Sequence, residues 1–284
     1  MAVRAYGAGV SSPENAVRAA LATAGQLGLA AHDATVLQHS NAVTARLLPC
    51  DTVARVSPAD RQVAAFEVDL ARRLTADGSP VGALDPRVPP RVYRRDGFVI
   101  TLWTYYASAP PAELSPAGYA AALHRLHAGL RTVDLPTPHV TDRVEHAERL
   151  VASRADTPEL TGADRALLGD TLRRLRSTVG GRGAAEQLLH GEPHPGNLLL
   201  TRDGPRFIDL ETVCRGPVEW DLAHAPAEVA EHYPGADRDL LSDCRILSLA
   251  LATTWRWDRT DRLPDGRRLG VEWLAEIRAA VTRR

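Results

Sequence analysis

Between the apolar runs Leu188-Leu189 and Leu198-Leu200, the sequence places His190, Glu192, His194 and Asn197 among Pro193, Pro195 and Gly196. The prolines exclude a regular strand or helix, so His190 to Asn197 forms a shaped loop. Loops held by rigid elements commonly carry function. Downstream, Leu198 to Thr201 and Arg206 to Leu210 read as a hairpin turning at Arg202-Asp203-Gly204-Pro205. The return strand ends in acidic residues, so Asp209 comes back beside Asn197, and Glu192, Asn197, Asp209 and Glu211 converge on one end of the ribbon. Hard oxygen donors in that arrangement suit Mg²⁺, which takes one or two carboxylates plus substrate phosphates. The matching chemistry is phosphoryl transfer, which needs a carboxylate to accept the attacking hydroxyl's proton, an Asn and an Asp for the metal, and a cation on the nucleotide phosphates.

The spacing supports that reading. Kinase catalytic loops of the form H-R-D-L-x-x-x-N put the base five residues before the asparagine, and Glu192 precedes Asn197 by five. Other readings stand beside it. Asn and Asp are frequent turn caps, and His190-x-Glu192-x-His194 has the residue types of a zinc site. The zinc reading lacks a third partner at a recognisable spacing, and the P-C-x-x-C of the zinc deaminases is missing.

"HGEPHPGNLLL", "FIDLE" and "GPVEWDLA" resemble the catalytic and metal-binding motifs of the aminoglycoside phosphotransferase family of kinase-like small-molecule kinases. The resemblance is strong over residues 188 to 224 and extends, by order of elements, over about 34 to 130. It implies an α+β, bilobal protein-kinase-like fold with a small β-rich N-lobe and a larger, mainly helical C-lobe. ATP and Mg²⁺ are the implied nucleotide and metal, with Glu192 as catalytic base, Asn197 and Asp209 as metal ligands, and Asp221 as the anchor of the catalytic loop. The family motif is usually H-G-D-x-H-x-x-N, so Glu192 departs from it by one methylene. "TVARV" resembles the strand that carries the phosphate-binding lysine, with Arg55 in its place; arginine keeps the charge but grips phosphate with a planar fork. Glu67 lies within the apolar stripe of Val63, Phe66, Leu70 and Leu74, where a carboxylate needs a partner, and Arg55 is its natural one. The phosphate loop falls on "LQHSNAVTARL", with Ser40 and Asn41 at its turn and no G-x-G-x-x-G. The hinge falls on "ITLWTYY", where backbone groups near Trp103 and Tyr105 meet the adenine.

The elements that must position these residues follow from periodicity and punctuation. Ser12-Pro13 opens a helix ending near Gly28, and residues 34 to 56 alternate over short runs broken by "HSN" and "PCD", as successive strands. Ser57-Pro58 reads as the start of a second helix, with a capping box to Asp60 and an end near Ala76. A hairpin joins Arg91–Arg94 to Phe98–Trp103, and a stretch rich in proline, alanine and serine follows. Helices are expected from Ser115-Pro116 and over about 141–155, 162–178, 237–257 and 270–284. The expected division is a nucleotide-binding lobe over 1–103 and a helical lobe over 104–284 with the catalytic loop, metal site and substrate site.

Composition bounds the function. With 34 basic residues, all arginine, against 35 acidic ones, the net charge is −1, which argues against broad phosphate neutralisation on nucleic acid. No run approaches the ~20 apolar residues of a membrane helix, and the N-terminus lacks a signal-peptide core, so the expectation is a cytoplasmic protein. Cys50, Cys214 and Cys244 are odd in number and form no C-x-x-C pair. The expected partner is a small hydroxylated substrate, with no nucleic acid and no membrane. The resemblance implies an aminoglycoside or another basic antibiotic, for which the acidic stretch "EVAEHYPGADRDLLSD" offers a favourable rim. A small metabolite such as an amino alcohol or sugar is the alternative, and an inactive nucleotide-binding regulator, pointed to by Glu192 and Arg55, is a third reading.

Overall fold

The structure, a computed structural model, describes residues 12–39, 42–60, 63–107, 114–181 and 183–282. These residues fall into two units by their contacts: residues 12–134 with 196–212, and residues 135–195 with 213–282.

In the first unit, helix α1 (Pro13–Gln26) precedes the antiparallel strands β1 (Ala31–His39), β2 (Val43–Pro49) and β3 (Thr52–Pro58). Helix α2 (Val63–Ala76), strands β4 (Tyr93–Arg95) and β5 (Phe98–Thr104) and helix α3 (Pro116–Arg131) follow. The strands form one sheet in the order β1-β2-β3-β5-β4. Strict alternation divides its faces. Val43, Ala45, Leu47, Ala54, Val56, Ile100 and Leu102 point into a core that α1 covers with Ala16, Ala19, Ala20 and Ala24, whose small side chains fit helix close against sheet. The other face carries two lateral rows, Thr44–Arg55–Thr101 and Arg46–Val53–Trp103.

Two expectations about this unit need correction. Ser57 and Pro58 do not cap a helix; they end β3, paired with Val99 and Phe98, and α2 begins at Val63. The ladder with β5 holds Ser57 extended, which overrides the local capping signal. The return strand of the later hairpin is also shorter than read: β7 (Leu198–Thr201) pairs with β8 (Gly204–Phe207). Phe207 closes on the segment before β4, accepting from Gly82 N–H and donating to the Pro80 carbonyl, both at 2.8 Å. Asp209 then turns into the left-handed region with φ 65°, which no strand tolerates, and Leu210–Thr212 forms one 3₁₀ turn.

Helix α3 behaves as read, with Ser115 Oγ accepting from Gly118 N–H at 3.1 Å and Leu123, Leu126 and Leu130 fully buried. Its Tyr119 meets Phe207 edge-on at 6.0 Å. Gly129 is required there, because a Cβ would lie 1.9 Å from Ser79 Oγ. These contacts group α3 and the hairpin with the sheet.

The second unit contains α4 (Val140–Ala152), α5 (Gly162–Gly181), β6 (Glu186–Leu189), β9 (Cys214–Pro217), α6 (Val218–His224), α7 (Val229–His232), α8 (Arg238–Trp257) and α9 (Gly266–Thr282). Val140, Val144, Ala147 and Val151 on α4 and Leu168, Leu172, Leu175 and Val179 on α5 follow the helical period and bury one stripe each. Trp220, Leu247, Leu251, Leu274 and Ile277 complete the core. Trp257 is buried there, and Trp255 packs against it with His146 at 5.4 Å. Asp237 caps α8 by accepting from the backbone N–H groups of Asp239 and Leu240. No helix among the described residues is long and apolar enough to cross a membrane.

Candidate functional site

Each unit carries a cluster of the residues singled out by sequence. In the first unit, Arg55 projects from β3 on the half-exposed face of the sheet. Its Nη1 donates to Glu67 Oε1 on α2 and to Asp209 Oδ1, both at 3.0 Å, and its Nη2 contacts Glu211 Oε1. Glu67 is 3 % exposed and Asp209 40 %. The stranded carboxylate on the apolar stripe therefore has the partner its position demanded, since an unpaired buried carboxylate is very costly.

Asn197 ends a 3₁₀ turn, Pro195–Asn197, directly before β7. Its carbonyl accepts from Ile208 N–H at 2.9 Å, which closes the open end of the hairpin and sets Asn197 and Asp209 on either side of it. These oxygen donors fit a hard divalent cation: one Arg55 charge against three carboxylates leaves the cluster at −2. Among the described residues, no three of His, Cys, Asp or Glu group as a metal site.

Trp103 lies inside the ladder, opposite Val53 on one side and Leu84 on the other. Its neighbours Leu102 and Thr104 make the bonds to the 83–85 segment, so its own backbone groups face β3. Its indole donates to Thr101 Oγ1 at 2.8 Å. Tyr105 lies just past the end of β5, with Arg46 stacked 3.9 Å over its ring. Ser40 and Asn41 lie outside the described residues.

In the second unit, the stretch after β6 is fixed by backbone capture. Asp221, fully buried at the centre of α6, accepts from His190 N–H at 2.9 Å and from Gly191 N–H at 2.8 Å. Trp220 Nε1 donates to the Gly191 carbonyl at 3.0 Å. Gly191 has φ 93°, which a side chain would strain. His190, also buried, receives the Glu192 N–H on Nδ1 at 3.4 Å and so helps shape the loop. Asp221 thus anchors this loop, as its motif implied. Replacing Asp221 by alanine would strand two buried N–H groups and is expected to cost about 2–5 kcal/mol of stability in urea denaturation.

Glu192 Oε1 meets Arg143 Nη2 of α4 at 2.5 Å. Burial alone would raise the Glu192 pKa, but the charge and hydrogen bond of Arg143, with His224 and His194 behind it, hold the carboxyl below its usual range. Burial pushes the His224 imidazole down to about 4, against the opposing pull of Glu192 and Asp221. A histidine kept neutral by folding but charged when unfolded makes the protein lose stability on acidification, here between about pH 6.5 and about pH 4. Glu192, with its folded pKa depressed, adds stability that is present above the unfolded carboxyl value and fades at still lower pH. His224→Gln is expected to flatten the first segment by on the order of 2–3 kcal/mol, read from melts between pH 7 and pH 4.5.

Arg143 and His224 were not singled out by sequence. Arg143 is one of two arginines on an amphipathic helix, and nothing local distinguishes it from Arg149. His224 had a usable signal: it follows Asp221 by three residues, which places both on one side of a helix.

The sequence matches the phosphotransferase enzyme family over residues 17–243. A sequence search of curated proteins finds no match. Among solved structures, the amicoumacin kinase hAmiN in complex with AMP-PNP, Ca²⁺ and Ami is similar with a TM-score of 0.70 and 11 % identity, covering 95 % of this chain and 96 % of that one. The choline kinase LicA from Streptococcus pneumoniae gives 0.69 at 14 % identity, covering 96 % and 100 %. The GDP complex of wild-type aminoglycoside 2'-phosphotransferase-IIIa gives 0.69 at 12 % identity, covering 95 % and 99 %. These likenesses show the fold: an α+β, kinase-like chain with an antiparallel sheet in its N-terminal part and helices in its C-terminal part.

Proposed function

Because the chain belongs to the phosphotransferase enzyme family, we propose that it transfers the γ-phosphoryl group of ATP to a hydroxyl of a small molecule, an aminoglycoside or another basic antibiotic. The observation that carries the proposal is the Arg55–Glu67 pair at 3.0 Å with Asp209 on the same guanidinium nitrogen. It joins the residues proposed as phosphate-binding cation, ion-pair partner and metal-binding carboxylate, Arg55 and Asp209 lying 154 positions apart in the chain.

In this mechanism, Arg55 would hold the nucleotide phosphates and Glu67 fixes the direction of its fork. Asn197 and Asp209 would hold Mg²⁺, which when bound would supply positive charge for the transferring oxygens. Glu192 orients the acceptor hydroxyl and takes its proton as the oxygen bonds to the γ-phosphorus and the bond to the β,γ-bridging oxygen breaks, leaving ADP. Arg143 keeps the Glu192 carboxylate ionised and directed. The exposed acids Glu228, Glu231, Asp237 and Asp239 favour a cationic acceptor.

A second substrate class, an amino alcohol, is favoured by the similarity to a choline kinase over the whole of that chain. Incubation with ATP, Mg²⁺ and a panel of aminoglycosides, other basic antibiotics, amino alcohols and sugars separates the two by mass-spectrometric detection of the phosphorylated product. Nucleotide binding with no panel member phosphorylated would favour a regulator.

A further inference from the structure

A lysine ammonium is a point charge, whereas the Arg55 guanidinium is a fork that serves several anions at once. In the first unit it does so. Its Nη1 bridges Glu67 and Asp209 at 3.0 Å each, and its Nη2 reaches Glu211. The three carboxylates differ in setting: Glu67 is 3 % exposed, Glu211 14 % and Asp209 40 %. The Glu67 pair is internal to the fold, while the bonds to Asp209 and Glu211 occupy the edge that solvent and ions reach. Asp209 follows β8 with a left-handed backbone, φ 65°.

We infer that Arg55 is a built-in competitor of the divalent cation at Asp209. In the absence of nucleotide its guanidinium occupies the oxygens of Asp209 and Glu211 as their ion-pair partner, and a metal ion must displace it to bind. Nucleotide phosphates draw the fork off these carboxylates while Glu67 retains it, so metal and nucleotide bind with strong positive coupling, each raising the affinity of the other by the same factor. The inference rests on the assignment of Asp209 as a metal ligand.

Mn²⁺ binding without nucleotide tests it, followed by the electron paramagnetic resonance signal of the free ion. Arg55→Gln is combined with Glu67→Gln so that no buried carboxylate is stranded, and Glu67→Gln alone is the reference. Removing one positive charge beside the site is expected to tighten Mn²⁺ by at least about tenfold over that reference. The gain in Mn²⁺ affinity on adding AMP-PNP is expected to shrink correspondingly. Arg55→Lys, which keeps a charge for Glu67 but cannot fork, covers the case in which the double variant fails to fold, and is expected to tighten Mn²⁺ by about threefold over wild type. Unchanged Mn²⁺ affinity in these variants, with binding abolished by Asp209→Asn, overturns the competitor role and leaves the metal assignment standing. Mn²⁺ binding indifferent to Asp209→Asn overturns both.

Discussion

Asp209→Asn is expected to lower phosphoryl transfer by about a thousandfold or more while the protein keeps its fold. The substitution preserves size, and asparagine is among the residues that accept the left-handed backbone held here at φ 65°. Asp209 is half-exposed and sits at the hairpin mouth, outside the core that stabilises either unit. The change removes the negative charge that faces Arg55 and that would hold the metal, and leaves a neutral amide. The thermal midpoint should shift little while the initial rate of product formation collapses. A collapse of both together would instead mark Asp209 as a structural cap.

Glu192→Gln carries the second large effect. An amide cannot take the hydroxyl proton, and loss of a positioned general base lowers kcat by about 10²–10⁴-fold. The variant also leaves Arg143 facing a neutral group across what is now a 2.5 Å ion pair. Glu192→Asp separates the two consequences, because it restores the residue usual in the family and keeps a carboxylate one methylene further back. It is expected to retain activity within about tenfold of wild type, whereas Glu192→Gln does not. Equal kcat in wild type and Glu192→Gln would remove the base role and leave Glu192 as a partner of Arg143 only.

The parts of the fold legible in sequence are those governed by local rules. Alternation located β2 and β3, the helical pattern over about 141–155 marked α4, and the Ser115-Pro116 cap started α3 where it was read. The stripe of α2 exposed Glu67 as a carboxylate needing a cation, and β3 supplied it. Local signals misled where a tertiary contact outcompeted them. Ser57 and Asp60 form a capping pattern, yet the ladder with Val99 keeps Ser57 in a strand. Arg206 to Leu210 read as a return strand, yet the bonds to Pro80 and Gly82 and the turn at Asp209 stop it. Arg143 was not legible, because its role depends on meeting a loop 49 positions away in the chain, and no period or cap encodes that distance. Asp221 was legible only through its motif; the two N–H groups it accepts lie 30 and 31 positions upstream.

The most direct test of the central claim is ³¹P NMR of the reaction of wild-type protein with ATP, Mg²⁺ and an accepted member of the substrate panel. A phosphomonoester signal is expected to grow in step with ADP, with no such signal from Asp209→Asn. Release of inorganic phosphate and ADP without the ester, or the same ester from Asp209→Asn at the wild-type rate, would contradict it.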